Sequence, residues 1–194
     1  MLVGVLVPVK AFADAKQRLG EVLPAADRER LARAMAARVV ASAAPLGVWV
    51  VTDDDDVAVW AVEQGATPLR QERAGLNPAV TDAVAVLASA GVDRVIVAHG
   101  DLPFATDLAA LAAGEGVTVV PDRHDDGSNV LVVPTNVGFR FAYGPGSFAR
   151  HLMEAERLNL PTRVVRDPGL GWDVDRPDDL VALEEPWTCP ASPR

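Results

Sequence analysis

The chain has 194 residues, 49% of them hydrophobic and 23% charged, with a formal net charge of -9 and one cysteine, Cys189. This size and balance suit one globular α/β domain around a single core. They exclude a general nucleic-acid binder, which needs a basic face. They also exclude a membrane-spanning segment, an intrachain disulfide and a thiolate metal cluster, so a cytoplasmic protein is expected.

Leu2 to Val7 is a continuous apolar run, the pattern of a strand buried on both faces. It gives way at Pro8 to a loop carrying Lys10, Lys16 and Arg18. Lys10 and Lys16 are the only lysines in the chain, against 16 arginines. Ligands of open parallel sheets sit beyond the carboxyl ends of the strands, so a cationic loop at this place suits a polyphosphate. The same residues would also serve as an ordinary solvated surface. In an acidic protein, a phosphate site has to be a local positive pocket, and acids within it suit a divalent metal.

Pro24 and Asp27 introduce a helical pattern with Leu31, Met35 and Val39 on one face, Asp27 serving as N-cap and Gly47 closing the turn. Val48–Val51 reads as a second strand. The acidic run 53–56 complements the dipole of a helix bearing Val57, Trp60 and Ala61, which Gly65 stops. Thr67–Leu69 is a short third strand. In Gly75-Leu76-Asn77-Pro78, Asn77 reads as N-cap and Pro78 as the first helical residue, ahead of Val80, Val84 and Leu87. Gly75 permits close backbone approach, as at a nucleotide edge.

Val95–Ala98 is a fourth apolar strand running into His99-Gly100-Asp101-Leu102-Pro103. A carboxylate at the carboxyl tip of a central strand suits a magnesium ligand, and burial there without a cation would be costly. Turn formation before Pro103 is the plainer role for Asp101. Thr106 is expected to cap a short helix with Leu108 and Leu111. Val117–Val120 and Val130–Val133 are the fifth and sixth strands, joined by a polar loop ending in Ser128 and Asn129. Gly144-Pro145-Gly146-Ser147 opens a helix with Phe148, Leu152 and Ala155 on one face. That start can seat an anion, or Ser147 can simply cap it. Thr162–Arg166 is a seventh strand. In Trp172-Asp173-Val174-Asp175, two carboxylates at i and i+2 of an extended segment point the same way and could join Asp101 around a cation. Pro177 starts a last helix. Residues 1–185 read as one domain and 186–194, with three prolines, as a flexible tail.

Strands alternating with helices imply a mostly parallel sheet wrapped by helices. The ordered landmarks are the Pro-Val-Lys loop with its Ala-Lys-Gln-Arg-Leu, Gly-Leu-Asn, Asp-Leu-Pro, Gly-Ser-Asn, Gly-Pro-Gly-Ser-Phe-Ala-Arg-His and Asp-Val-Asp-Arg-Pro-Asp-Asp-Leu. Together they resemble the guanylyltransferases of coenzyme F420 biosynthesis, the CofC/FbiD family, over about residues 3–183. The resemblance implies a three-layer α/β/α nucleotidyltransferase fold of the GT-A-like, Rossmann-like kind. It implies Mg²⁺-dependent transfer of GMP from GTP to the phosphate of a three-carbon phosphoacid, with release of pyrophosphate. Phosphoenolpyruvate is the expected acceptor and 2-phospho-L-lactate the runner-up.

By position, the resemblance puts Lys10, Lys16 and Arg18 on the GTP phosphates, with Lys10, Arg18 and Asp101 carrying catalysis. Gly75, Leu76 and Asn77 would lie along the nucleoside. Asp101 with Asp173 or Asp175 would hold Mg²⁺, and Ser128, Gly144 and Ser147 would seat the phosphoacid. The chain departs from the pattern at Ser128, where threonine is expected, at Trp172, where an aliphatic residue is usual, and at Arg176, where threonine commonly caps the last helix. Rival readings are a related transferase with a molybdopterin or sugar-phosphate acceptor, and a non-catalytic nucleotide-binding protein. Quaternary state stays open, a homodimer included.

Overall fold

The computed structural model describes residues 1–183, so the expected tail 186–194 and the last residues of the expected domain lie outside the described residues. Seven strands form one sheet: β1 (Val3–Pro8), β2 (Gly47–Thr52), β3 (Thr67–Arg70), β4 (Arg94–Ala98), β5 (Val117–Pro121), β6 (Ser128–Pro134) and β7 (Thr162–Val164). Their order across the sheet is β3-β2-β1-β4-β6-β5-β7. Every pairing is parallel except those of β6, which runs antiparallel to both β4 and β5. The cause is local. Only residues 122–127 join β5 to β6, too few for a parallel crossover, and the Asp122 side chain accepts from the His124, Asp126 and Gly127 N–H groups to shape the turn.

The apolar runs expected of doubly buried strands divide by parity into two cores. Val5, Val7, Ile96, Ala98, Val130 and Val132 face α1 (Ala25–Ser42) and α2 (Asp55–Glu63). Leu6, Val95, Val97, Leu131 and Val133 face α3 (Leu76–Ser89), α4 (Ser147–Arg157) and the aromatics Phe139, Phe141 and Tyr143. The result is the three-layer α/β/α arrangement. A third cluster of Leu19, Leu31, Met35 and Val174 ties the loop after β1 and the segment around Val174 to α1.

Several helix starts differ from expectation. Helix α1 begins at Ala25 after Pro24, and Asp27 sits in its first turn paired with Arg30 instead of capping it. Gly47 opens β2. Helix α3 begins at Leu76, with Gly75 at the cap position, because the Asn77 side chain is engaged elsewhere. Asp107, not Thr106, caps the 3-10 turn Leu108–Ala112. Gly146 holds the cap position of α4, and the last helix is a 3-10 turn, Pro177–Leu183.

One glycine fixes how β5 meets its neighbour. Gly116 has φ +69°, and a Cβ there would stand 2.0 Å from the Pro161 carbonyl oxygen. Gly91 has φ +85° with no atom within 4 Å of such a Cβ. Denaturant unfolding should show Gly91→Ala costing about 1–2 kcal/mol, the strain of a left-handed residue. Gly116→Ala should cost roughly twice that or more, because a backbone clash is added.

Candidate active site

The rim at the carboxyl ends of β1, β2 and β4 opens into a cleft of about 850 Å³. Lys10, Lys16, Arg18, Leu76, His99, Asp101 and Asp175 all line it. The loop after β1 is pinned at its base, where Phe12 is buried edge-on against Trp60 at 5.0 Å with the Arg33 guanidinium over its ring at 4.5 Å. Lys16 then takes a left-handed backbone, φ 53°, before the short turn Gln17–Leu19. Leu19, wholly buried, anchors the far end.

Lys16 Nζ donates to Asp101 Oδ2 at 2.6 Å and to Asp175 Oδ1 at 3.1 Å. Arg18 reaches the other Asp175 oxygen at 3.6 Å. Burial alone would lower the Lys16 pKa, but the two carboxylates outweigh it and hold the ammonium above its ordinary value. Burial alone would likewise raise Asp101, and Lys16, with His99 beside it, holds it below the usual carboxylate range instead. Asp173 is different. Burial, then the charges of Asp101 and Asp175, push its carboxyl upward. Asp173 thus feels both of the other acids, and one buried ammonium pairs with those two.

The segment carrying Asp173 and Asp175 is not a strand, yet the alternation read from the sequence holds: Val174 is buried on Leu19 and Met35 between two partly exposed aspartates. The Val174 N–H donates to the Asp101 carbonyl. Asp179, nearly buried, accepts the Asp175 and Arg176 N–H groups at 2.7 Å each and pairs with Arg123, which lies over the Trp172 ring at 4.2 Å. Asp179 thus does the bracing expected of a threonine at 176, and Trp172 serves as the platform for Arg123.

Asp101 Oδ1 is buried with no partner among the described residues. Among those residues no three His, Cys, Asp or Glu side chains form a ready-made metal cage. Mg²⁺ does not require one, since it is commonly held by one or two carboxylates together with water and substrate phosphates. The orphaned Asp101 oxygen, the neighbouring Asp175 and the crowded Asp173 fit that oxygen-only demand.

Reversal of β6 brings its first residues to the same rim, since Ala98 pairs with Val130 and the His99 N–H donates to the Asn129 carbonyl. Ser128 and Ser147 are both buried, with 1% and 2% of their surface exposed. The Ser128 N–H donates to Ser147 Oγ at 3.0 Å, and Ser128 Oγ lies 2.9 Å from His151 Nδ1. Gly144, exposed at φ +115°, begins the turn into α4. These three form a second cluster that does not line the main cleft. Nor do Gly75, Asn77 and Asp173. Asn77 is a clamp: its Oδ1 accepts the Tyr143 N–H at 2.7 Å and its Nδ2 donates to the Tyr143 carbonyl at 3.3 Å. That use of both polar atoms leaves Leu76 as the member of the expected nucleoside edge that reaches the cleft.

Residues 3–184 match the family described as "Guanylyl transferase CofC like". The chain belongs to this family. It is 38% identical over 193 residues to a phosphoenolpyruvate guanylyltransferase of Rubrobacter xylanophilus, covering 95% of this chain and 94% of that protein. A phosphoenolpyruvate guanylyltransferase of Chloroflexus aurantiacus is 32% identical, with 98% and 97% covered. A solved nucleotidyl transferase from Methanothermobacter shares the fold with a TM-score of 0.67 at 15% identity, covering 96% of this chain and 97% of that one. The nucleotidyltransferase fold inferred from the landmarks is therefore the fold observed. Among the described residues no helix is long and apolar enough to cross a membrane.

Sequence reasoning missed Asp179 and His151 as organisers of the site, and with them Arg150, which donates to the Ala142, Gly144 and Pro145 carbonyls, and Asp126, which accepts the Gly146 N–H. Asp179 and the Arg150-His151 pair lie within the ordered landmarks, so a signal exists for them; Asp126 carries none beyond its polar loop.

His151 is wholly enclosed, and burial, with Arg150 and His99 nearby, pushes its pKa down to about 4 against a partial opposing effect of Glu154. Tyr143 also abuts it edge-on at 4.9 Å. A folded-state pKa below the unfolded value of 6.5 means the unfolded chain binds the extra proton first as pH falls. This contribution is thus fully present above about pH 6.5 and is lost as pH drops towards 4. Chemical denaturation at about pH 8 and about pH 5 should show wild type losing about 2 kcal/mol more between the two than His151→Asn does.

Proposed function

We propose that this chain transfers GMP from GTP to the phosphate of phosphoenolpyruvate, releasing pyrophosphate, as a step of coenzyme F420 biosynthesis. The observation that carries the reading is the cleft in which Lys10, Lys16 and Arg18 meet Asp101 and Asp175. The names of the relatives from Rubrobacter and Chloroflexus support the acceptor.

The acceptor's phosphate oxygen attacks the α-phosphorus of GTP, and the bond from that phosphorus to the bridging oxygen of the β-phosphate breaks. The nucleophile is already ionised, so no general base is needed. The barrier is repulsion between two polyanions, which fixed positive groups lower. Lys10 and Arg18, exposed and facing the cleft, would hold the triphosphate, while Leu76 would lie along the nucleoside. Ser128, Gly144 and Ser147 would hold the phosphoacid on the neighbouring stretch of rim. Asp101 and Asp175, with Asp173 beside them, would hold Mg²⁺, which supplies charge neutralisation on the triphosphate. What remains is in-line positioning by a rigid rim.

Incubation with GTP, Mg²⁺ and phosphoenolpyruvate, 2-phospho-L-lactate or 3-phosphoglycerate in turn should release pyrophosphate, fastest with phosphoenolpyruvate. Asp101→Asn should lower turnover by at least about a hundredfold with the circular dichroism spectrum retained, as expected for losing a charge-stabilising group. Lys10→Ala should raise the KM for GTP by roughly tenfold, the scale of one charge-assisted contact. Pyrophosphate release independent of any phosphoacid, or full turnover by Asp101→Asn, would contradict the reading.

A further inference from the structure

The hydrogen bonds behind the second cluster carry more than a burial pattern, because one of them has only one possible direction. The Ala142 backbone N–H points at His151 Nε2 from 3.0 Å. A backbone amide can only donate, so Nε2 carries no proton and a neutral ring must keep its proton on Nδ1. Nδ1–H then donates to Ser128 Oγ at 2.9 Å. With that lone pair taken, Ser128 still has its hydroxyl proton to give, and no described residue accepts it. Ser147 Oγ is in the same condition, since it accepts the Ser128 N–H.

The loop between them is handled in the same way. Arg150 donates to the carbonyls of Ala142, Gly144 and Pro145. Asn77 takes both backbone groups of Tyr143, and the Gly146 N–H donates to Asp126. Carbonyl oxygens that could repel an anion are thereby occupied. Among the described residues the Gly144 N–H is left without an acceptor. Among the described residues, two hydroxyls and one amide around the start of α4 thus each keep a proton to give.

We propose that His151 is a positioning residue for transfer: through Nδ1–H it fixes the Ser128 hydroxyl as a donor aimed at an anionic oxygen of the phosphoacid. This rests on the reading of Ser128, Gly144 and Ser147 as the acceptor seat. His151 does not touch the reacting atoms and exchanges no proton with them. Loss of the ring leaves the Ser128 hydroxyl free to rotate, so the seat loses its fixed polarity without losing the oxygen itself.

The test combines kinetics with one spectroscopic signature. Long-range ¹H–¹⁵N NMR of the wild-type protein should show His151 neutral and protonated on Nδ1. His151→Phe, which keeps ring volume without a donor, should raise the KM for phosphoenolpyruvate by roughly tenfold to a hundredfold, the range for one hydrogen bond to a charged group. Its KM for GTP should stay within about twofold. His151→Asn, which retains a donor near the Nδ1 place, should recover most of the loss. Ser128→Ala should raise the same KM at least as far as His151→Phe does, and the double variant should be no worse than Ser128→Ala alone, because the two act through one hydroxyl.

An Nε2-protonated ring overturns the proposal whatever the kinetics. So do effects of His151→Phe and Ser128→Ala that multiply, a GTP KM that moves as far as that for phosphoenolpyruvate, or a folded His151→Phe with unchanged constants. If His151→Phe fails to fold, the smaller His151→Leu takes its place, and an unchanged phosphoenolpyruvate KM in that variant overturns the proposal equally. A wild-type protein that releases no pyrophosphate with any phosphoacid overturns the acceptor reading first, and this role with it.

Discussion

Three carboxylates brought to one rim of a sheet repel one another and need a cation among them. In this chain the resident cation is Lys16, whose ammonium is shared between Asp101 and Asp175 while Asp173 stands nearby with its carboxyl pushed upward. The arrangement costs desolvation on both sides and is weak evidence for stability as such. What it does is gather three carboxylates and a largely buried ammonium at one end of the sheet.

Apolar packing makes that arrangement possible. Leu19 from the lysine loop, Leu31 and Met35 from α1, and Val174 from between the two aspartates form one small cluster. Because Val174 is buried there, its neighbours are driven outward, Asp175 onto Lys16 and Asp173 to a partly exposed place beside the other acids. The hydrophobic contact sets the geometry and the ions exploit it. At the same rim, outside the cleft, the reversal of β6 brings Ser128 and Asn129 to the end of β4, which an all-parallel sheet would have put at the opposite rim.

Much of this is legible in the residues. Uniform apolar runs mark the buried strands, and their parity foretells two cores. The alternation in Asp173-Val174-Asp175 predicts the facing of its acids even though no strand forms there. The direction of β6 follows from the short polar connection of residues 122–127, whereas the alternation of strands and helices by itself points to a parallel strand. What local pattern cannot supply are bonds between distant segments. Asn77 has the chemistry of an N-cap, and only the arrival of Tyr143, 66 positions away, turns it into a clamp. Ser147 likewise has a cap's chemistry and instead accepts from Ser128. The pairing of Lys16 with Asp101 and Asp175 is equally unseen, because those partners, 85 and 159 positions away, leave no trace in its neighbourhood.

The most direct measurement is equilibrium unfolding of Lys16→Met beside wild type, with chelator and then with Mg²⁺. In chelator the variant should be less stable by at least about 2 kcal/mol, a figure below the usual cost of breaking a buried pair because Asp175 is half exposed. Mg²⁺ should restore more stability to the variant than it adds to wild type, since the carboxylates then lack their resident cation. A variant as stable as wild type in chelator and indifferent to Mg²⁺ would contradict the account.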